Sequence, residues 1–281
     1  MYRLSAFADE ASQNIPEQVE AMRRNGISLL EIRGVDGENI SKIDNAKARE
    51  VRKILDESGM AVWSMGSPAG KKSLADDFGT QMDTFKRLLE NADILGAKRV
   101  RLFSFYPVEG ENRAATLEKV IARLNAFSEV TPDHIILCHE NEKKIFGENV
   151  ENCLAIHKAL PKIRAVFDPA NFIQCGVDTM EAWLALREYV DYLHIKDSLS
   201  DGTIVPAGMG IGNIAKITAD YLSRGGEVMT LEPHLKVFSG LSDLEAGGES
   251  VKMMKNIYRS NDEAFDAAVS ALKTILESKE A

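Results

Sequence analysis

Four short stretches each place a residue able to bind a metal ion or carry a proton directly after an apolar run: LCHENE at 137–142, VFDPAN at 166–171, YLHIKD at 192–197 and TLEPH at 230–234. The residues concerned are Glu140, Asp168, His194 and Glu232. Three carboxylates and one imidazole form a mostly hard, oxygen-rich donor set. It suits Mn2+ or Mg2+ better than structural zinc, with a catalytic Zn2+, Co2+ or Fe2+ also compatible. Taken singly, a carboxylate at a strand end is more often a helix cap or a solvated charge, and a histidine more often a packing residue. Four in succession at matching places point to a shared site.

Side-chain parity sharpens the choice. Neighbours on a strand face opposite sides, and the residues just before the four candidates are His139, Phe167, Leu193 and Leu231. The three large apolar ones suit the face on which helices pack, which leaves Asp168, His194 and Glu232 on the other. The same register turns Glu140 toward the site and His139 away from it. His139 therefore reads as structural or as a support behind the ligands, and Asn141 and Glu142 as exit-loop residues that help hold Glu140.

The elements that must carry these residues follow from a recurring pattern: a helix-periodic polar stretch, a glycine, then an apolar run. It occurs at Gly26, Gly59, Gly96 and Gly225-Gly226, where a glycine just past a helix can close the last turn in the left-handed conformation. Pro132 and Pro161 introduce two further runs. Strands are expected near 2–7, 28–33, 60–66, 98–104, 134–140, 163–168, 190–195 and 227–232. Helices are expected near 16–24, 46–58, 80–95, 116–127, 178–189 and 262–278, the first starting at Asn14. Alternation of this kind means parallel βαβ units, and eight of them predict a (β/α)8 TIM barrel, α/β in class, as one domain over 1–281 with its active site at the strand C-termini. No GxGxxG or GxxxxGK[ST] loop supports a doubly wound sheet instead. The main departure from this rhythm is 235–260, with Gly240, Gly247 and Gly248; it reads as a cover over the site or as a plain surface excursion.

The net charge of −9 argues against a nucleic-acid partner, whose phosphates require clustered Lys and Arg. Cys138, Cys153 and Cys175 are odd in number and lack paired spacing, so they read as reduced thiols of a cytoplasmic protein. The longest apolar runs are strand-sized, so no membrane span is expected, and MYRLSAF is too short for a signal-peptide core.

The order Glu-Asn, Asp-x-x-Asn, His-x-Lys-Asp, Leu-Glu-Pro-His resembles the sugar phosphate isomerase/epimerase superfamily. These are the xylose-isomerase-like barrels that include ketose 3-epimerases, hydroxypyruvate isomerases, inosose dehydratases and endonuclease IV. SAFADE (5–10), LLEIRG (29–34) and GSPAGK (66–71) resemble the first three strand ends of one subgroup. The resemblance covers nearly the whole chain and is specific for fold and metal site rather than substrate. It implies a divalent-metal quartet at Glu140, Asp168, His194 and Glu232, with Glu140 and Glu232 also forming the acid/base pair. A metal that chelates a carbonyl and the adjacent hydroxyl acidifies the C–H between them and stabilises the enediolate. One glutamate then removes the proton and the other returns it, to the opposite face in an epimerase or to the neighbouring carbon in an isomerase. The chain departs from the epimerase pattern at Asn171, where a His is common, and at Lys196-Asp197 with SLSDG, where an Arg is common. A trinuclear endonuclease site needs more histidines than the five present.

Around the quartet, Glu31 and Arg33 read as substrate ligands or as a pair with each other. Ser67 and Lys71, with Lys72, read as a place for a carboxylate or phosphate, or as a solvated loop. Asn171 is expected behind the metal, Lys196 on a substrate oxygen and Asp197 orienting its neighbours, while His234 contacts substrate or caps its loop. Asp9 and Glu10 read as a turn before the first helix. Phe103, Phe105 and Tyr106 form an apolar wall, and Trp63 suits core packing better. The expected activity is a metal-dependent isomerase or epimerase of a small sugar, ketose or sugar acid. The alternative is a lyase or dehydratase that expels a β-hydroxyl after the same proton abstraction. A non-catalytic sugar-binding subunit is disfavoured by the intact quartet. The partner is a small carbohydrate, and a homo-oligomer fits the resemblance.

Overall fold

The computed structural model describes residues 2–241, 251–254 and 257–278. Eight parallel strands close into a barrel: Arg3–Ala6, Leu29–Ile32, Ala61–Met65, Arg99–Leu102, Ile136–Glu140, Arg164–Phe167, Val190–Ile195 and Val228–Leu231. Each pairs with the next, and the eighth returns to the first, with Ala6 opposite Leu231. These are the eight expected runs: Val190–Ile195 has the expected bounds, and each of the others is shorter by two or three residues in all. The (β/α)8 architecture is as expected.

The helices around the barrel begin where polar side chains can satisfy the free N–H groups of a first turn. Asp44 accepts from Lys47 N, Asp77 from Thr80 N, Asn112 from Ala115 N and Asp178 from Glu181 N. The first helix, Ile15–Arg24, differs: the Asn14 side chain makes no cap. Asp36 from the loop after the second strand accepts from Ile15 N at 2.9 Å instead. At the other end of the pattern, Gly96 takes φ 75° and its N–H closes the last turn of Phe78–Leu95, as the glycine spacing predicts.

The parity argument corresponds to two separate apolar layers. Phe167, Leu193 and Leu231 belong to the large core between strands and helices, with Phe167 5.3 Å from the Trp183 ring. Cys138, Val166 and Tyr192 form a small cluster inside the barrel, joined by Trp63 and Ile136. Trp63 packs toward the strand-entry end, its ring 3.8 Å from the Arg99 guanidinium, so it is no part of a wall at the mouth. Of the excursion 235–260 after the eighth strand, residues 242–250, 255 and 256 lie outside the described residues, so that part of the cover expected over the mouth does too.

His139 faces outward onto the helix Val150–Ala159, where its ring meets His157 at 5.6 Å. His157 stacks on Tyr189 at 5.3 Å and is 3.1 Å from the Ile163 carbonyl, to which Nδ1–H donates. Burial holds His157 down at about 4, from an ordinary 6.5. The unfolded chain therefore binds the extra proton first as pH falls below about 6.5, so this group removes stability between about pH 6.5 and pH 4. Between about pH 8 and pH 5 the native chain should lose about 2 kcal/mol more than His157→Gln. Thermal midpoints across that range check this; equal pH slopes for the two proteins would contradict it.

Candidate functional site

Glu140 ends the fifth strand, Asp168 directly follows the sixth, His194 lies near the end of the seventh and Glu232 directly follows the eighth. In the register Glu140 stands opposite Val166 and His194 opposite Thr230, two residues before Asp168 and Glu232, and the four gather at the C-terminal mouth. All four are buried, and one ligand atom from each lies within 4.8 Å of the others. Glu10, Glu232 and His234 form a second such group that shares Glu232.

Cations are threaded between the carboxylates. Lys196 Nζ lies 2.8 Å from Asp168 Oδ2 and 3.1 Å from Glu232 Oε2. Arg101 Nη1 is 2.5 Å from Glu140 Oε2. Arg33 meets Glu232 at 2.8 Å, Asp9 at 2.9 Å and Glu10 at 3.2 Å. Opposite charges at this range favour the charged forms, whereas burial opposes them. Burial works to raise Glu140, but His194 and Arg101 hold it down at about 2. Burial likewise opposes the Glu232 charge, and Lys196 and His234 keep it well below the usual carboxylate range. For Asp168 burial wins and pushes the group up to about 7, against Lys196; for Glu10 it reaches about 8, against Arg33. The two glutamates are thus the firmly ionised members of the cluster.

The residues expected at substrate divide by position. Lys71, Lys196 and His234 line a small cavity directly above the quartet, with Arg101, Phe103 and Asn171. Lys71 pairs with Glu142 at 3.0 Å. Asn171 Nδ2 donates to the Asn141 carbonyl at 2.9 Å and lies 3.3 Å from Glu140 Oε1, so it backs the quartet. His234 takes a left-handed backbone at φ 45°, stacks on Phe238 and donates its backbone N–H to Glu10 Oε2 at 2.7 Å. Ser67 is turned away from the cavity: its hydroxyl donates to the Arg101 carbonyl at 2.6 Å. Glu31 and Arg33 do not pair with each other. Arg33 reaches the acids at the mouth, whereas Glu31 lies below His194, 3.2 Å from Nε2. Asn141 clamps the Asp168 backbone through both amide atoms rather than holding Glu140. Asp197 accepts from the N–H groups of Gly208, Gly210 and Gly212, so it shapes the loop after the seventh strand.

Beside the cavity a cleft of about 430 Å3 runs under GSPAGK, with Arg33, Lys71, Lys72 and Arg101 in its wall. Gly70 permits this loop: a Cβ there would stand 2.0 Å from the Phe103 carbonyl oxygen.

Three members of the site escaped the sequence reading. Asp9 and Glu10 do form a short turn, Ala8–Glu10, but both are buried against Arg33 rather than solvated. Arg101, in the middle of RVRL, is buried beside Glu140 and 4.5 Å from the Phe103 ring. Its signal was available: Val100 and Leu102 sit in the outer core, so parity turns Arg101 inward.

The donor set fits a divalent cation. The oxygens are hard ligands, and Asp168 Oδ2 accepts no well-directed hydrogen bond although the Lys196 ammonium is near. Asp168 Oδ1 is already used, accepting from Asn171 N at 3.0 Å at the start of the helix Pro169–Gln174. This arrangement leaves one oxygen of Asp168 available to the same cluster as Glu140, Glu232 and His194, whose ligand atoms lie within 4.8 Å of one another.

A family model described as xylose isomerase-like TIM barrel matches residues 19–277. No curated protein matches the chain. Among solved structures, an L-ribulose 3-epimerase shares 17% identity at a TM-score of 0.75, the alignment covering 100% of this chain and 97% of the other. A probable 3-DHS dehydratase from Bacillus anthracis, involved in petrobactin synthesis, shares 14% at 0.73, with 97% and 99% covered. The IOLI protein, solved with a zinc atom, shares 14% at 0.73, with 98% of each chain covered. At these identities the likeness establishes the fold.

Removing one member of a buried ion pair leaves its partner uncompensated. Arg101→Met should therefore destabilise the chain by about 3 kcal/mol. Urea unfolding would show this as a lower midpoint at unchanged slope; an unmoved midpoint would show that the Arg101–Glu140 pair contributes nothing.

Proposed function

Because the chain belongs to the xylose isomerase-like TIM-barrel family, we propose that it is a divalent-metal-dependent isomerase or epimerase of a small sugar, ketose or sugar acid. The observation that supports this best is the pair of buried, firmly ionised glutamates, Glu140 and Glu232, on one donor cluster at the strand C-termini. Glu140, Asp168, His194 and Glu232 would hold the ion, Mn2+ or Mg2+ by donor type, with Zn2+, Co2+ or Fe2+ also compatible. When bound, it would polarise a substrate carbonyl and the adjacent hydroxyl and so acidify the C–H between them.

The chain's own groups supply the proton movements. Both glutamates are in the basic form, and both come within reach of the same His194 nitrogen, at 3.1 and 3.4 Å. One removes the proton from carbon and the other returns it. Lys71, Lys196 and His234 orient the substrate oxygens from the cavity wall. Arg33 and Arg101 keep the two bases charged and fixed between turnovers. Asn171 restrains Glu140 from behind.

A second reading, a lyase that expels a β-hydroxyl, is favoured by Lys196. Its ammonium stands at the centre of the site, where it can protonate a leaving oxygen. Solvent deuterium incorporation over a panel of ketoses and keto-inositols, with water loss followed in parallel, separates the two: label in recovered sugar marks the isomerase, loss of water the lyase.

Native protein should bind about one divalent ion per chain in a Mn2+ titration. Glu140→Gln and Glu232→Gln should each lower turnover by roughly 10²–10⁴-fold with unchanged circular dichroism. Absence of ion binding, or full activity in either variant, would overturn the proposal.

A further inference from the structure

Glu31 occupies an unusual place. The inside of a parallel barrel is normally filled by branched apolar side chains, yet this carboxylate is wholly buried there, beneath the quartet and beside Tyr192. A register shift between Leu30 and Glu31 against the third strand accompanies its inward turn. Burying a carboxylate away from water is unfavourable unless its oxygens are satisfied, and both of these are. Oε1 accepts from the Tyr192 hydroxyl at 2.8 Å, and that hydroxyl also lies 3.1 Å from Ser64 Oγ. Oε2 lies 3.2 Å from His194 Nε2. The other nitrogen of His194, Nδ1, faces Glu140 and Glu232. Phe7 lies edge-on at 5.2 Å and Tyr192 at 5.5 Å, so the ring is enclosed by aromatic neighbours.

From this geometry we infer that Glu31 is a positioning residue: it accepts the Nε2 proton of His194 and so presents Nδ1 to a divalent ion held by Glu140, Asp168 and Glu232. The inference rests on the metal-dependent reading above. Nδ1, 3.1 Å from Glu140 Oε1, would give up its proton on ligating an ion; the imidazole would then carry one N–H, and the acceptor beside Nε2 would keep it there. The two sides of this ring are not equivalent. Nδ1 opens onto the donor cluster, whereas Nε2 opens onto a carboxylate that does not belong to it. Tyr192 engages Oε1, which leaves Oε2 as the acceptor for the ring. An acceptor at Nε2 also makes the imidazole a stronger donor toward a cation. Glu31 thus acts on the ion through His194 and lies below the cavity that substrate enters.

Calorimetric titration of native protein and Glu31→Gln with Mn2+ should show a roughly 10–100-fold weaker affinity in the variant. In zinc-loaded, 15N-labelled native protein, the His194 ring should report zinc at Nδ1 and a slowly exchanging proton at Nε2. Glu31→Gln should speed exchange of that proton, a change that a merely structural role would not produce. Tyr192→Phe, which keeps the charge, should lose affinity by only a few-fold. Ligation of His194 through Nε2, read on the native protein, overturns the inference even if Glu31→Gln fails to fold. Unchanged affinity in Glu31→Gln overturns it while leaving metal dependence intact. A native protein that binds neither ion overturns both readings.

Discussion

Too many carboxylates at one dry point is the constraint on which this structure turns. Glu140, Asp168 and Glu232 converge at the barrel mouth, with Asp9 and Glu10 close behind Arg33, and all are buried. Like charges a few ångströms apart in a low-dielectric interior repel strongly, so such a cluster survives only by protonation or by interleaved cations. Both devices are in use. Arg101, Lys196 and Arg33 hold the two glutamates ionised, while Glu10, in excess of that compensation, is pushed up to about 8 by burial.

Closure of the barrel makes this concentration attainable. Adjacent parallel strands deliver their last inward residues to the same mouth, and the apolar residues that face outward join the core under the helices. Thus Phe167, Leu193 and Leu231 supply apolar packing while the residue next to each supplies charge. The division continues below the mouth, where the interior is only partly apolar: Cys138, Val166 and Tyr192 share it with Ser64 and Glu31. A buried polar chain of this kind specifies one arrangement because each member satisfies the next.

This physical division also explains what the sequence could disclose. Strands, glycine-closed helices and the inward register are local or periodic properties, so the barrel and the convergence of Glu140, Asp168, His194 and Glu232 could be read from spacing alone. Partnerships across the barrel could not. Arg33 and Glu232 are 199 residues apart and Glu31 and His194 are 163 apart, and nothing near either residue encodes the other. Asp9 and Glu10 looked like an ordinary acidic turn because local chemistry describes a turn correctly and says nothing of burial. Ser67 looked like a substrate hydroxyl because a serine after a strand carries no mark of the carbonyl it will bind. Arg101 is the exception: strand parity already turned it inward, but a cation inside an apolar strand invites dismissal.

The compensation also bears on how the site would take up an ion. Lys196 sits against Asp168 Oδ2 and Glu232 Oε2, two of the oxygens that a divalent cation would need. On the proposed reading an ion and the ammonium would compete for the same charge, and the ion would prevail by offering a second positive charge and closer contact to hard oxygens. Displaced from those carboxylates, Lys196 remains in the cavity wall with Lys71 and His234, where an electron-rich oxygen is the partner that restores its lost interaction. On the proposed reading, ion binding and substrate binding would be coupled through one side chain, Lys196, which would leave the carboxylates and meet a substrate oxygen. A neutral residue at position 196 would leave the carboxylates less compensated without an ion and the substrate one cation poorer with it.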